Sequence, residues 1–307
     1  MITSAFCASI LFFATACGAQ GIEQDGAGGQ EVLLVQQPWE DLVVENEIVR
    51  QVLEENGYEV TVQEVSVPIG AQALADGSVD AYLGNWWPSQ EPVFSDHLDS
   101  GDIEVLGTLM TGTTYAPAVP AYVAEEHGVR SLADLDGNRD LFGGEFIGIE
   151  AGTPGNEYIL DAIGDDAYGL GDWELVQSSS AAMLGEVERR ADEQEPVVFL
   201  GWEPHWMNVQ WDLVYLEDPE EVWPGAGEIR VLTRAGFESN NPDVARFLSQ
   251  MEVDTATASA WINRLSKDGD PVETVAQEWI AQNTDEVEAW LDGVETADGQ
   301  PAEVSGA

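Results

Sequence analysis

The feature that most limits what this chain can fold into is a repeated exchange between two hydrophobic periods. EVLLVQ at 31–36 has the length and bulk of a strand, and LVVENEIVRQVLEEN at 42–56 spaces its apolar residues for a helix. YEVTVQEV then alternates, a short helical segment follows around Ala71, and VDAYLGNW at 79–86 closes the run. This is a β-α-β-α-β rhythm, because side chains lining a strand repeat every second residue and those lining a helix about every 3.6. The rhythm returns after Ala116 in FIGIE, GNEYILDAI, WELVQ, SAAMLGEVERRADEQ and PVVFLGW. Two α/β units are therefore expected. After VYLED and EIRVLTRAG the pattern from Pro242 to Leu291 is mainly helical, and so long a helical tail has to pack on one of the units.

A length of 307 residues is enough for two lobes with buried cores. The 58 Asp and Glu against 10 Lys and Arg set a formal charge of -48, which argues against nucleic acid or anionic lipid as a partner of the general surface. Disorder is excluded by a hydrophobic content of 44% that includes 11 Trp. An acidic skin on a folded core suits a salty or osmotically variable habitat, where salt screens its self-repulsion.

Cys7 and Cys17 are the only cysteines, so no disulfide can staple the body of the chain. The apolar run ILFFATA at 10–16 leads directly to Cys17 and looks like a bacterial lipoprotein signal over residues 1–17, with Cys17 as the lipidated residue. No Lys or Arg precedes that run, and Ala14 stands where such signals usually have Leu. GAQGIEQDGAGGQ at 18–30 has the composition of a flexible tether. Nothing later approaches the ~20 uninterrupted apolar residues of a membrane span. The Gly, Ala and Glu-rich end, 296–307, is expected to be a disordered tail.

Motifs for catalysis are missing: there is no GxSxG, GxxxxGK[ST], CxxC or HExxH, and no GxGxxG between a strand and a helix. With Lys267 the single lysine and His97, His127 and His205 the only histidines, few bases are on offer. Neither a cofactor nor a metal site is expected. An enzyme acting on a small substrate, or a structural surface lipoprotein, are the other classes such a chain could belong to.

What stands out is a set of aromatic rings at strand-to-loop junctions. Trp39 follows EVLLVQQP, Trp86 ends VDAYLGN, Tyr115 follows TGTT and Trp202 ends VVFLG. Ligands of open α/β sheets bind outside the carboxyl ends of strands, where three of these four rings fall. Such rings suit a trimethylammonium group, which has no N–H to donate; each face contributes roughly 0.5 to 2 kcal/mol in a desolvated site. Trp87, beside Trp86, points the other way in a strand and is assigned to packing or rim.

LGNWWP, TYAPAVPAY, IEAGTPGNEY and LGWEPHWMN resemble segments of the glycine betaine and choline binding proteins of ABC importers, and the similarity spans residues 32–291. The resemblance implies a type II periplasmic-binding-protein fold, two α/β lobes with the ligand cleft between them. Residues 31–114 would begin lobe one, 115–207 form lobe two and 208–295 complete lobe one. It further implies that Trp39, Trp86, Tyr115 and Trp202 form an aromatic box, and that Asp41 and Asn156 contact the ligand. Read as residues alone, Asp41 equally suits the cap of a helix beginning at Leu42, Asn156 a turn near GTPG, and His205 either a backbone partner or a ligand carboxylate. The partners implied are choline or glycine betaine and a permease with its ATPase, met by a monomer that touches the membrane only through its lipid. Asp41 and the four rings tilt the choice to choline, while PHWMN with Trp206 resembles betaine-binding members.

Overall fold

The computed structural model describes residues 31–304; the expected leader with Cys17 and the tether at 18–30 lie outside the described residues. Among the described residues ten strands form two sheets. They are β1 (Glu31–Gln36), β2 (Glu59–Glu64), β3 (Ala81–Pro88), β4 (Ile103–Thr111), β5 (Thr114–Pro120), β6 (Glu145–Ile147), β7 (Glu174–Val176), β8 (Phe199–Glu203), β9 (Leu213–Tyr215) and β10 (Ala226–Arg234). The first sheet has the order β2-β1-β3-β10-β4 and the second β7-β6-β8-β5-β9. β1 runs parallel to β2 and β3, and β6 parallel to β7 and β8, as strands joined through crossover helices must. β10 is inserted antiparallel between β3 and β4, and β5 antiparallel between β8 and β9. The chain thus passes to the second sheet at β4 to β5 and returns between β9 and β10, so lobe one is built from two stretches of chain and lobe two from one.

The return lies later than the sequence suggests. Leu213, Val214 and Tyr215 pair with Pro120, Val119 and Ala118, and Trp211 packs edge-on against Phe199 at 6.0 Å, so residues 208–215 belong to lobe two rather than to the returning segment. A three-residue edge strand is too short to announce itself by alternation.

Burial follows the pattern of a sheet covered on both faces: Leu34 and Val35, neighbours pointing to opposite sides of β1, are both fully buried. The helix Glu40–Glu55 buries Leu42, Ile48, Val49, Val52 and Leu53, and its Asn46 side chain donates to the Val35 carbonyl at 3.2 Å, fastening helix to strand. The helices Thr255–Asn263 and Val272–Gln282 pack against Glu40–Glu55, so the helical tail completes lobe one.

The expected disordered tail is a second correction. Glu295 bridges to Pro301, the Asn56 side chain donates to the Glu303 carbonyl and accepts its N–H at 3.1 and 3.0 Å, and Val304 is buried. Backbone hydrogen bonds to a single buried Asn, which composition does not register, order the chain as far as 304. Among the described residues no helix is long and apolar enough to cross a membrane.

Candidate functional site

Strand register brings the first two rings together. Tyr115 on β5 lies directly opposite Trp202 on β8, and directly opposed residues of an antiparallel pair share a sheet face. Trp86 comes from the carboxyl end of β3, and Trp39 from the junction after β1, where it is the N-cap of the helix Glu40–Glu55. These four rings line one cavity between the lobes. Lobe one adds Asp41, Ser89 and Gln90 to its wall, and lobe two adds Ile149, Thr153 and Pro154.

The rings are braced from behind. Trp86 and Tyr115 meet across the lobes with centroids 6.0 Å apart, tilted by 60°. Trp223 meets the Tyr115 ring edge-on at 5.3 Å, and its indole N–H donates to the Tyr115 carbonyl at 2.6 Å. Trp202 rests on His205 at 5.1 Å, His205 on Trp206 at 4.9 Å, and Trp206 on Trp211 at 5.2 Å. A Cβ at Gly155, in the first turn of the helix Pro154–Gly164, would overlap the Tyr115 hydroxyl, so this glycine is what lets the ring reach its place.

Among the described residues, Asp41 is the one carboxylate lining the cavity. The helix starts at Glu40, not Leu42, so Asp41 lies inside its first turn and Trp39 holds the cap position. Burial pushes the Asp41 carboxyl up to about 6; the Leu42 N–H opposes that and the neighbouring Glu40 adds to it. One turn along the helix, Glu45 is 1% exposed and neither of its oxygens has a hydrogen-bond partner. Burial first, then Asp41, holds it well above the usual carboxylate range.

Polar side chains of the lining spend their hydrogens inward. Ser89 Oγ donates to the Trp86 carbonyl at 3.0 Å and Thr153 Oγ1 to the Glu150 carbonyl at 2.9 Å. The Gln90 amide donates to Tyr82 Oη and the Gly84 carbonyl, both at 3.2 Å. The two hydroxyls therefore keep acceptor capacity only.

Two residues singled out from the sequence are placed elsewhere. Asn156 is fully buried behind the wall: its oxygen accepts the Ile149 N–H at 3.1 Å and its amide donates to the Ile149 and Glu150 carbonyls at 3.0 Å. It shapes the loop that carries Ile149 and Thr153 and has no donor left for a ligand. His205 stands behind Trp202; its Nδ1 accepts the Met207 N–H at 3.3 Å, and burial, then Lys267, push it down to about 3. Ser89, Gln90, Ile149, Thr153 and Pro154 were not anticipated, although each lies in or beside LGNWWP or IEAGTPGNEY. Among the described residues no group of His, Cys, Asp and Glu is arranged to hold a metal.

Residues 30–282 match the model of the substrate-binding domain of ABC-type glycine betaine transport systems. The glycine betaine/carnitine transport binding protein GbuC of Listeria monocytogenes is 34% identical over 174 residues, which are 55% of this chain and 57% of that protein's length. An ABC-transporter choline binding protein solved in complex with choline is 30% identical with a TM-score of 0.86, over 91% of this chain and 97% of that one. Lactococcal OpuAC, closed on glycine betaine, is 26% identical with a TM-score of 0.75, over 85% and 99% of the two chains. The chain belongs to the family of substrate-binding domains of ABC-type glycine betaine transport systems, a family of transporter binding proteins and not of enzymes.

Proposed function

We propose that this chain is the extracytoplasmic substrate-binding subunit of an ABC importer, that it captures choline between the rings of its two lobes, and that it delivers choline to a membrane permease. The observation that carries the reading is a cavity joining four aromatic rings from both lobes to one buried carboxylate, with no Lys, Arg or His in its lining. The rings would receive the trimethylammonium head by cation–π attraction and dispersion. Asp41 would neutralise its charge: at about 5 Å and an effective dielectric constant near 20, a unit charge pair is worth roughly 3 kcal/mol. The same arithmetic penalises a ligand carboxylate near Asp41 by a comparable amount. Choline's hydroxyl can donate to Asp41 or to the free acceptor positions of Ser89 and Thr153. Because each lobe supplies two rings, occupancy favours the closed pair of lobes, and closure is the signal a permease can read.

Glycine betaine is the second reading, and two observations favour it. The Trp39 indole N–H is buried without a partner, and the helix Pro154–Gly164 opens at the cavity wall with first-turn amides that have no partner in the helix. Both could receive a carboxylate. Calorimetric titration with choline and with glycine betaine at matched salt and neutral pH separates the readings. Choline is expected to bind more tightly, and Trp202→Ala to weaken it about tenfold, the loss of one ring face. Tighter binding of glycine betaine selects the second reading, and no heat with either compound rejects both.

A further inference from the structure

We propose that Lys267, which lies outside the ring cavity, sets the affinity of the site by clamping lobe one onto the aromatic stack behind Trp202. This rests on the two-lobe binding reading above.

Lys267 belongs to lobe one. The helix Thr255–Asn263, packed on Glu40–Glu55, continues into a wider π-helical turn, Arg264–Asp268, that ends at Gly269 with φ +72°. Such widened turns occur often at functional positions because they re-aim a side chain without breaking the helix. Here the turn is firmly held. Arg264 grips Asp270 Oδ2 with two N–H groups at 2.9 and 2.7 Å and pairs with Glu278 at 2.9 Å. Ser266 Oγ donates to Glu40 Oε1 at 2.9 Å, tying the turn to the first residue of the helix that carries Asp41.

From this base Lys267 reaches across to lobe two. Its Nζ lies 3.5 Å from the centroid of the Trp206 ring and 3.7 Å from Glu188 Oε1, on the helix Ser180–Asp192. Trp206 is buried and leads through His205 to Trp202, a ring of the cavity, so the cation presses on the far end of the stack that supports the box. His205 stays neutral beside it, so the stack carries no second cation. The contact exists only while the lobes are together, because its partners are on opposite sides of the cleft. A contact made only in the closed state slows opening and ligand escape and leaves encounter with the open cleft unchanged.

Lys267→Met keeps length and packing without charge; Lys267→Arg keeps a cation that stacks on a ring. Stopped-flow fluorescence should show choline leaving Lys267→Met roughly 3- to 30-fold faster, with association within about twofold, and Lys267→Arg close to the parent. The melting temperature without ligand should be shared by all three. A dissociation rate unchanged in Lys267→Met, or equal acceleration in Met and Arg, overturns the clamp. Because Lys267 is the only lysine, reductive methylation with labelled formaldehyde puts one side-chain probe in the chain and keeps its charge. Its methyl resonance should be shifted upfield by the Trp206 ring, and an unshifted resonance with and without ligand overturns the clamp. If neither choline nor glycine betaine binds, the functional reading fails and the clamp falls with it, whereas binding of either without faster dissociation from Lys267→Met rejects the clamp alone.

Discussion

Choline binding should weaken about tenfold when the pH falls from 7 to 5, and Asp41 should be the cause. Its carboxyl is held at about 6 because burial disfavours the charged form. The ionised fraction is then about 0.9 at pH 7 and about 0.1 at pH 5, and only that fraction offers a counter-charge to a net cation. The sign runs opposite for a zwitterion, whose carboxylate is better tolerated once Asp41 is neutral, so glycine betaine should bind equally well or better at pH 5. His205, pushed down to about 3, does not titrate in this window. Bound choline in turn favours ionised Asp41, so titrations near pH 6 in two buffers of different ionisation enthalpy should reveal proton release. Asp41→Asn should abolish both the slope and the proton release. A choline dissociation constant that moves less than twofold between pH 5 and 7, or a slope that survives in Asp41→Asn, refutes the role of Asp41 as counter-charge.

Gly155→Ala should reduce choline affinity about tenfold with a near-normal melting temperature, because the new Cβ displaces the Tyr115 ring from the box rather than disturbing a lobe core; titration and a thermal melt check the two parts separately. Glu45→Leu should stabilise the ligand-free protein by about 1–3 kcal/mol, since the carboxyl is buried without a partner and an apolar group of similar size carries no desolvation cost; a denaturant titration reads it. The melting temperature should rise as NaCl increases from about 0.1 M to about 2 M, where the screening length contracts to a few ångströms and the repulsion within a chain of charge -48 is relieved.

Trp39, Trp86 and Trp202 were legible because each ends or follows a strand, where α/β folds place ligands, and Tyr115, at the start of β5, because it stands at a loop-to-strand junction. Asn156 was misplaced because an Asn beside a turn has the same local signature whether its amide faces a ligand or the backbone of Ile149 and Glu150. Ser89 and Thr153 went unnoticed since a small hydroxyl in a loop has no pattern of its own. The clamp at Lys267 was equally silent: Trp206 and Lys267 are far apart in the chain, and a π-helical turn does not differ in composition from an α-helical one.

The sequence alone determined the two α/β units and which aromatic rings stand at their strand-to-loop junctions, because hydrophobic period and the placement of aromatic residues are properties of neighbours along the chain. The tertiary structure decided what depends on pairs far apart. It put Tyr115 opposite Trp202 by strand register, it moved the return crossing past β9, and it pinned the tail on Asn56. It also showed Asp41 inside the helix's first turn and facing the cavity. Whether an aspartate caps a helix or faces a cation depends on what the second lobe places across the cleft, and no local stretch of sequence carries that.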